Sequence, residues 1–178
     1  ILADDIYGRL VYNRNEFIPI SSLSEAIRKQ TIVINGVSKA YAMTGWRVGY
    51  AVGDPEIIAA MSKLTGQTTS NLTAVSQYAT IEALTGPQDS VEVMRQAFEE
   101  RLNSIYPLLC EVPGFEVVKP QGAFYLFPNV KKAMEMKGYS DVTAFTTAIL
   151  EEVGLALITG AGFGAPENVR LSYATDLD

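Results

Sequence analysis

Apolar residues cluster along the chain at two periods, one suited to strands and one to helices. Residues 1–7 (ILADDIY) are largely apolar and run into Gly8, while residues 31–35 (TIVIN) are rich in β-branched side chains and run into Gly36; both have the pattern of buried strands. Residues 24–30 between them suit a short helix that Ser22 or Ser24 could cap, so the chain opens strand, helix, strand, as in a parallel sheet. Residues 47–53 (RVGYAVG) give a third strand. Asp54-Pro55-Glu56 then supplies an N-cap, a proline at the first helical position and an acid in the first turn, predicting a helix to about Thr65. Residues 71–84 carry apolar side chains at helical spacing, and residues 88–111 form a longer amphipathic helix that Pro107 should kink or end early. Strands are expected over 115–118 and 124–127, a helix over 141–153, and strands over 155–158 and 169–174. These last elements read as an α+β unit, which puts the domain boundary near residue 86: an α/β part over 1–86, then the long helix and a small domain over 87–178.

Composition narrows the function classes. Lys and Arg number 14 against 20 Asp and Glu, a net charge of -6 with no basic block to track a phosphate backbone, which argues against a nucleic-acid partner. No apolar run approaches the length of a membrane span and no charged-then-apolar leader opens the chain, so a cytoplasmic protein is expected. A single cysteine, Cys110, makes no internal disulfide and fits a reducing compartment. There is no histidine, so Ser-His and Cys-His nucleophile pairs cannot form and no imidazole can ligate zinc. Lysines remain as the amine nucleophiles. The chain begins at Ile1 without Met and stops at the polar Thr175-Asp176-Leu177-Asp178, which reads as a piece of a longer protein.

Residues 35–50, NGVSKAYAMTGWRVGY, lie where a buried strand breaks into a loop and returns as another strand, the place where α/β proteins put chemistry. A lysine there, Lys39, lies close to the sheet, and a partly desolvated amine is a better nucleophile. Arg47, eight residues on, could hold an anion. Taken one at a time, each has a plain alternative: a solvated lysine, and an arginine paired with a surface acid.

Ser38-Lys39, Met43-Thr44-Gly45-Trp46-Arg47 and Gly49-Tyr50 together resemble the cofactor-lysine signature of the class I and II, fold-type I, aminotransferases that depend on pyridoxal 5'-phosphate. The resemblance implies that Lys39 forms the Schiff base with the cofactor and carries a proton to and from the substrate α-carbon, that Arg47 holds the cofactor phosphate, and that Ser38 helps it. Asp4-Asp5-Ile6-Tyr7 resembles the family's acidic-acidic-Ile-Tyr strand end, with Asp5 where Glu is common. Asp4 is then the carboxylate facing the pyridine nitrogen, where it keeps the ring able to accept electrons, and Tyr7 reaches the ring hydroxyl. Strand alternation sends Asp4 and Asp5 to opposite faces, so only one can meet the ring. Near the other end, Asn168-Val169-Arg170-Leu171-Ser172-Tyr173 resembles the family's late arginine strand, and Arg170 would clamp the substrate α-carboxylate through its guanidinium fork. Pro120-Gln121-Gly122-Ala123-Phe124-Tyr125 resembles a small-domain run in which Phe124 packs, and Thr69-Ser70-Asn71 a polar turn near the dimer interface. Gly160-Ala161-Gly162-Phe163-Gly164-Ala165 fits a loose dinucleotide fingerprint, but Pro166 and a strand follow where that motif needs a helix, so a tight turn is expected. The same run departs mildly from the aminotransferase pattern at Thr159 and Ala161.

What the resemblance implies is the carboxyl-terminal part of an enzyme resembling aspartate aminotransferases: part of the large cofactor domain, mostly parallel sheet, followed by the α+β small domain. Its activity would be transamination between an amino acid and a 2-oxo acid, in a homodimer. The family's phosphate loop, its cofactor-stacking ring and its Asn beside the ring hydroxyl precede this segment, so the 178 residues alone are expected to be inactive. Two other functions stay open: a carbon-sulfur lyase of the same fold, and the aminotransferase-like sensing domain of a transcriptional regulator, whose DNA-binding helices would lie upstream. Substrate choice is not legible, because Arg170 would read only a carboxylate that all amino acids share.

Overall fold

Three of the strands read from the sequence pair in register in the computed structural model, which describes residues 1–177. They are β1 (Leu2–Asp4), β2 (Ile32–Gly36) and β3 (Gly49–Val52), in the order β1-β2-β3. The helix α1 (Glu25–Lys29) connects β1 to β2, and Ser24 caps it by accepting a hydrogen bond from the Ile27 amide at 3.2 Å. With that crossover the two strands run parallel, Asp4 beside Ile34. The direction of β3 is set by the loop before it: residues 37–48 contain no crossover helix, so the chain doubles back and β3 pairs antiparallel to β2, Gly36 opposite Gly49.

The structure also corrects the expectation that β1 and β2 are buried. Leu2 is exposed and β2 is half-buried along Ile32 to Asn35, because β1 is an edge strand with a partner on one side only among the described residues. The fully buried side chains lie just beyond the strands, at Leu10, Tyr12 and Val37.

Helix α2 (Pro55–Thr68) starts as read, with the Asp54 carboxylate accepting from the Glu56 amide at 2.9 Å. α3 (Ala74–Thr85) begins later than its apolar spacing suggests, because Thr73 takes the cap position and accepts from the Ser76 amide. α4 (Asp89–Cys110) continues past Pro107 to Cys110, since a proline in the last turn removes only one late amide donor. The chain falls into two compact units, Ile1–Arg95 and a second beginning at Gln96, with the boundary inside α4.

The second unit has its own antiparallel sheet, β4 (Tyr125–Leu126), β6 (Val169–Ser172) and β5 (Ile158–Thr159) in that order. Residues 115–118 do not form the expected strand; only Glu116 bridges Asn129, between the turn at Gly114 and Pro120. A helix not read from the sequence, α5 (Lys131–Lys137), is too short and lysine-rich to show a period, yet it puts Ala133 and Met134 into the core. Val130, Val142, Phe145 and Val169 complete that core, with Phe145 delivered by α6 (Val142–Val153) behind its Asp141 cap.

Two sequence motifs bond to each other here. The Tyr173 hydroxyl donates to the Ala123 carbonyl at 3.1 Å and the Tyr173 amide donates to the Phe124 carbonyl at 3.0 Å, tying the arginine strand to the Gly-Ala-Phe-Tyr run. Tyr173 is buried, and that burial raises its phenol well above the ordinary value of 10.0. In the unfolded chain the phenol ionises near 10, while in the folded chain it keeps its proton. Its contribution to stability is therefore intact below about pH 10 and declines as the pH rises further. Tyr173→Phe should be destabilised by about 1 kcal/mol at neutral pH through the lost hydrogen bond. Parallel chemical denaturation of wild type and variant should show that gap narrowing above pH 10; a constant gap would contradict the burial effect.

Candidate active site

Because β1 and β2 are parallel and Asp4 lies beside Ile34, both segments leave the first sheet at the same carboxyl end. Asp4 is the last residue of β1, and its Oδ1 accepts from the Ile6 amide at 3.2 Å as the chain turns. Tyr7 follows in that turn. From β2 the chain passes through buried Val37 into a second turn holding Ser38 and Lys39. The two turns meet: Lys39 Nζ lies 5.9 Å from the centroid of the Tyr7 ring, with both residues half-buried. Ser38 is half-buried and has no hydrogen-bond partner among the described residues.

Arg47 returns the chain to β3 and is exposed. It follows a one-turn 3-10 helix, Thr44–Trp46, in the left-handed conformation (φ 56°, ψ 48°), and its Nη1 donates to the Thr44 carbonyl at 2.8 Å. Ala42 is also left-handed, at φ 53°. Two non-glycine residues in that region cost roughly 1–2 kcal/mol each, so the loop's hydrogen bonds must offset them. Those bonds run from the Ala42 amide to the Lys39 carbonyl and from the Met43 amide to the Val37 carbonyl.

The two adjacent acids have different surroundings. Asp5 lines a cavity of about 230 Å³ with Arg9, Asn35, Tyr41 and Tyr50; Asp4 does not. Tyr50 there is raised above the usual phenol value, chiefly by burial and then by neighbouring Tyr41, with Arg9 opposing.

In the second unit Arg170 sits on β6 beside Ile158 of β5. Its guanidinium carbon lies 4.5 Å from the centroid of the Tyr125 ring and 4.6 Å from that of Phe163. Neither Arg47 nor Arg170 pairs with a carboxylate among the described residues, whereas Arg95 pairs with Glu92 and Arg101 with Asp176. At Arg47, then, no surface acid among the described residues takes up the guanidinium. Phe163 carries no local signal of this contact beyond its place in a glycine-rich run ahead of the arginine strand. That run is a tight turn, as expected: a Cβ on Gly160 would collide with the carbonyl oxygens of Ala165 and Asn168. The Thr69-Ser70-Asn71 turn ends α2, with Ser70 at φ 61°. Among the described residues no group of three or more His, Cys, Asp or Glu could hold a metal, and no helix is long and apolar enough to cross a membrane.

The family model for aminotransferase class I and II matches residues 1–177, and the chain belongs to that family. It is 79% identical over 177 residues to an asparagine–oxo-acid transaminase of Streptococcus mutans, covering 99% of this chain and 45% of that protein. It is 53% identical to an aspartate aminotransferase of Bacillus subtilis, covering 100% of this chain and 45% of the relative. Among solved structures, the aspartate aminotransferase from Rhizobium meliloti superposes with a TM-score of 0.90 at 35% identity, covering 99% of this chain and 45% of the other. The chain thus spans about half the length of the relatives it matches. The family is generally dependent on pyridoxal phosphate, acts on amino and oxo acids, and is typically dimeric.

Proposed function

We propose that the complete protein containing this chain transfers an amino group between an amino acid and a 2-oxo acid, using pyridoxal 5'-phosphate held by residues of the first unit. The observation that carries this is the meeting of the Lys39 amine and the Tyr7 ring where two parallel strands end, in a chain of this family. The donor set fits the cofactor's chemistry: an amine for an aldehyde, a carboxylate for a ring nitrogen, a phenol for a ring hydroxyl, and an arginine without an acidic partner for a phosphate. When bound, the cofactor supplies an electrophilic carbonyl for the substrate amine and an electron-accepting ring.

The chain's own residues do the rest. Lys39 Nζ takes the proton from the substrate α-carbon and returns it elsewhere, which requires an amine within reach and able to cycle its proton. Asp4 holds a negative charge at the ring nitrogen, and Tyr7 donates to the ring hydroxyl oxygen. Arg47 offers its remaining N–H groups to the phosphate, and Ser38 offers a hydroxyl. Arg170 holds the substrate carboxylate through a planar fork of donors. A homodimer is the assembly we expect, as in the family at large.

For the substrate we propose aspartate or its amide asparagine, supported by the names of the relatives in Streptococcus mutans and Bacillus subtilis. The test uses the complete enzyme with each amino acid and 2-oxoglutarate, following glutamate formation. Rapid turnover with either supports the proposal. Release of pyruvate and sulfide from sulfur amino acids without transamination would make the protein a lyase, and tight DNA binding without turnover a regulator.

The chain alone, with about half the relatives' length, should be inactive. Borohydride treatment of the isolated chain mixed with cofactor should leave little or no covalent cofactor mass on it. Stoichiometric labelling would overturn that expectation.

A further inference from the structure

Arg170 occupies the middle of a row of aromatic rings. Phe98 stacks on Phe124 at 5.2 Å, Phe124 meets Tyr125 at 4.7 Å, the guanidinium lies against both Tyr125 and Phe163, and Phe163 is met edge-on by Phe127 at 6.0 Å. The register explains one side of it. Tyr125 is opposite Ser172 on β6, and Ser172 shares a face with Arg170 two residues away, so the Tyr125 ring lies diagonally against the guanidinium.

The other side is less expected. Phe163 belongs to a short turn, Gly160–Phe163, with left-handed Gly164 behind it, and the residue remains 52% exposed. An exposed phenylalanine contributes little to a core. Its ring meets Arg170 and Phe127.

We propose that Tyr125 and Phe163 are positioning residues that hold the Arg170 guanidinium by its π faces and leave its in-plane N–H groups for a carboxylate. This rests on Arg170 being the holder of the substrate carboxylate. An acidic neighbour would orient the arginine equally well, but it would occupy the donors and compete with the substrate; a ring orients the cation without consuming its hydrogen bonds. The absence of any carboxylate on Arg170 among the described residues is what such a device requires.

The experiment uses the complete enzyme, with steady-state kinetics for aspartate and succinate as a competitive carboxylate probe. Phe163→Leu and Tyr125→Leu should each raise the KM for aspartate and the inhibition constant of succinate about three- to thirtyfold, with kcat within about twofold. Phe163→Tyr and Tyr125→Phe, which keep a ring, should stay near wild type. Arg170→Lys is the control for the underlying assignment. If it raises both constants while the leucine variants change neither, the ring clamp is wrong and the carboxylate role stands. If Arg170→Lys leaves both constants unchanged, the carboxylate role fails and the clamp fails with it. A loss confined to kcat in the leucine variants, or an equal loss in the ring-keeping ones, would also overturn the clamp.

Discussion

Lys39→Ala in the complete enzyme should lower kcat by about 10⁴-fold or more, because it removes the amine we propose as both nucleophile and proton carrier. Lys39→Arg should be nearly as poor: a guanidinium keeps its charge and cannot cycle a proton at neutral pH. Neither variant should carry covalent cofactor mass after borohydride treatment, whereas the wild-type peptide containing Lys39 should. Denaturation midpoints measured alongside separate folding from chemistry, since the Lys39 amine also lies against the Tyr7 ring in a half-buried turn. Retention of more than about one part in a hundred of the activity in Lys39→Ala would exclude this lysine as the central group, given the size of acid–base contributions.

Asp4 and Asp5 offer a sharper contrast, being adjacent, chemically identical and differently placed. Asp4→Asn keeps an oxygen able to accept from the Ile6 amide, so the turn survives, yet it removes the charge. Its kcat should fall about 10²–10³-fold, the scale of losing one preorganised electrostatic stabiliser. Asp5→Asn, on the side of the cavity with Arg9 and Tyr50, should keep its activity within a few-fold. Denaturation midpoints measured alongside would show whether either change acts through stability. Equal losses in the two variants would mean that the ring carboxylate has been assigned to the wrong acid, or to neither.

The parts of the candidate site that are legible in the sequence are those written in local strings. Ser38-Lys39 through Arg47, Asp4 through Tyr7, and Asn168 through Tyr173 each fall in one loop or strand end, and the structure brings Lys39 to Tyr7 because those ends are neighbours. Helix starts at Asp54 and Asp141 were equally plain, since a cap and its first turn are contiguous. What stayed hidden depends on pairing at a distance. β3 turns back antiparallel because of what residues 37–48 lack, and the single bridge at Glu116 replaces a strand because its partner, Asn129, belongs to a different segment. α5 is not legible because two turns of helix carry too few apolar positions to show a period. Phe163 is hidden for a related reason: it makes a ring-to-cation contact that no local pattern encodes.

The left-handed backbone at Ala42 and Arg47 bears on how this loop tolerates randomisation. In a saturation library selected only for a folded protein, glycine and asparagine should be enriched at both positions, and valine, isoleucine and threonine depleted, because a branched Cβ meets the preceding carbonyl there. Selection for growth that depends on the proposed reaction, with its product withheld, should reverse the ranking at position 47 alone, restoring arginine against its backbone preference. Position 42 should keep the same order under both selections. The difference between the two enrichment maps would thus separate a residue retained for its side chain from one that merely endures its conformation.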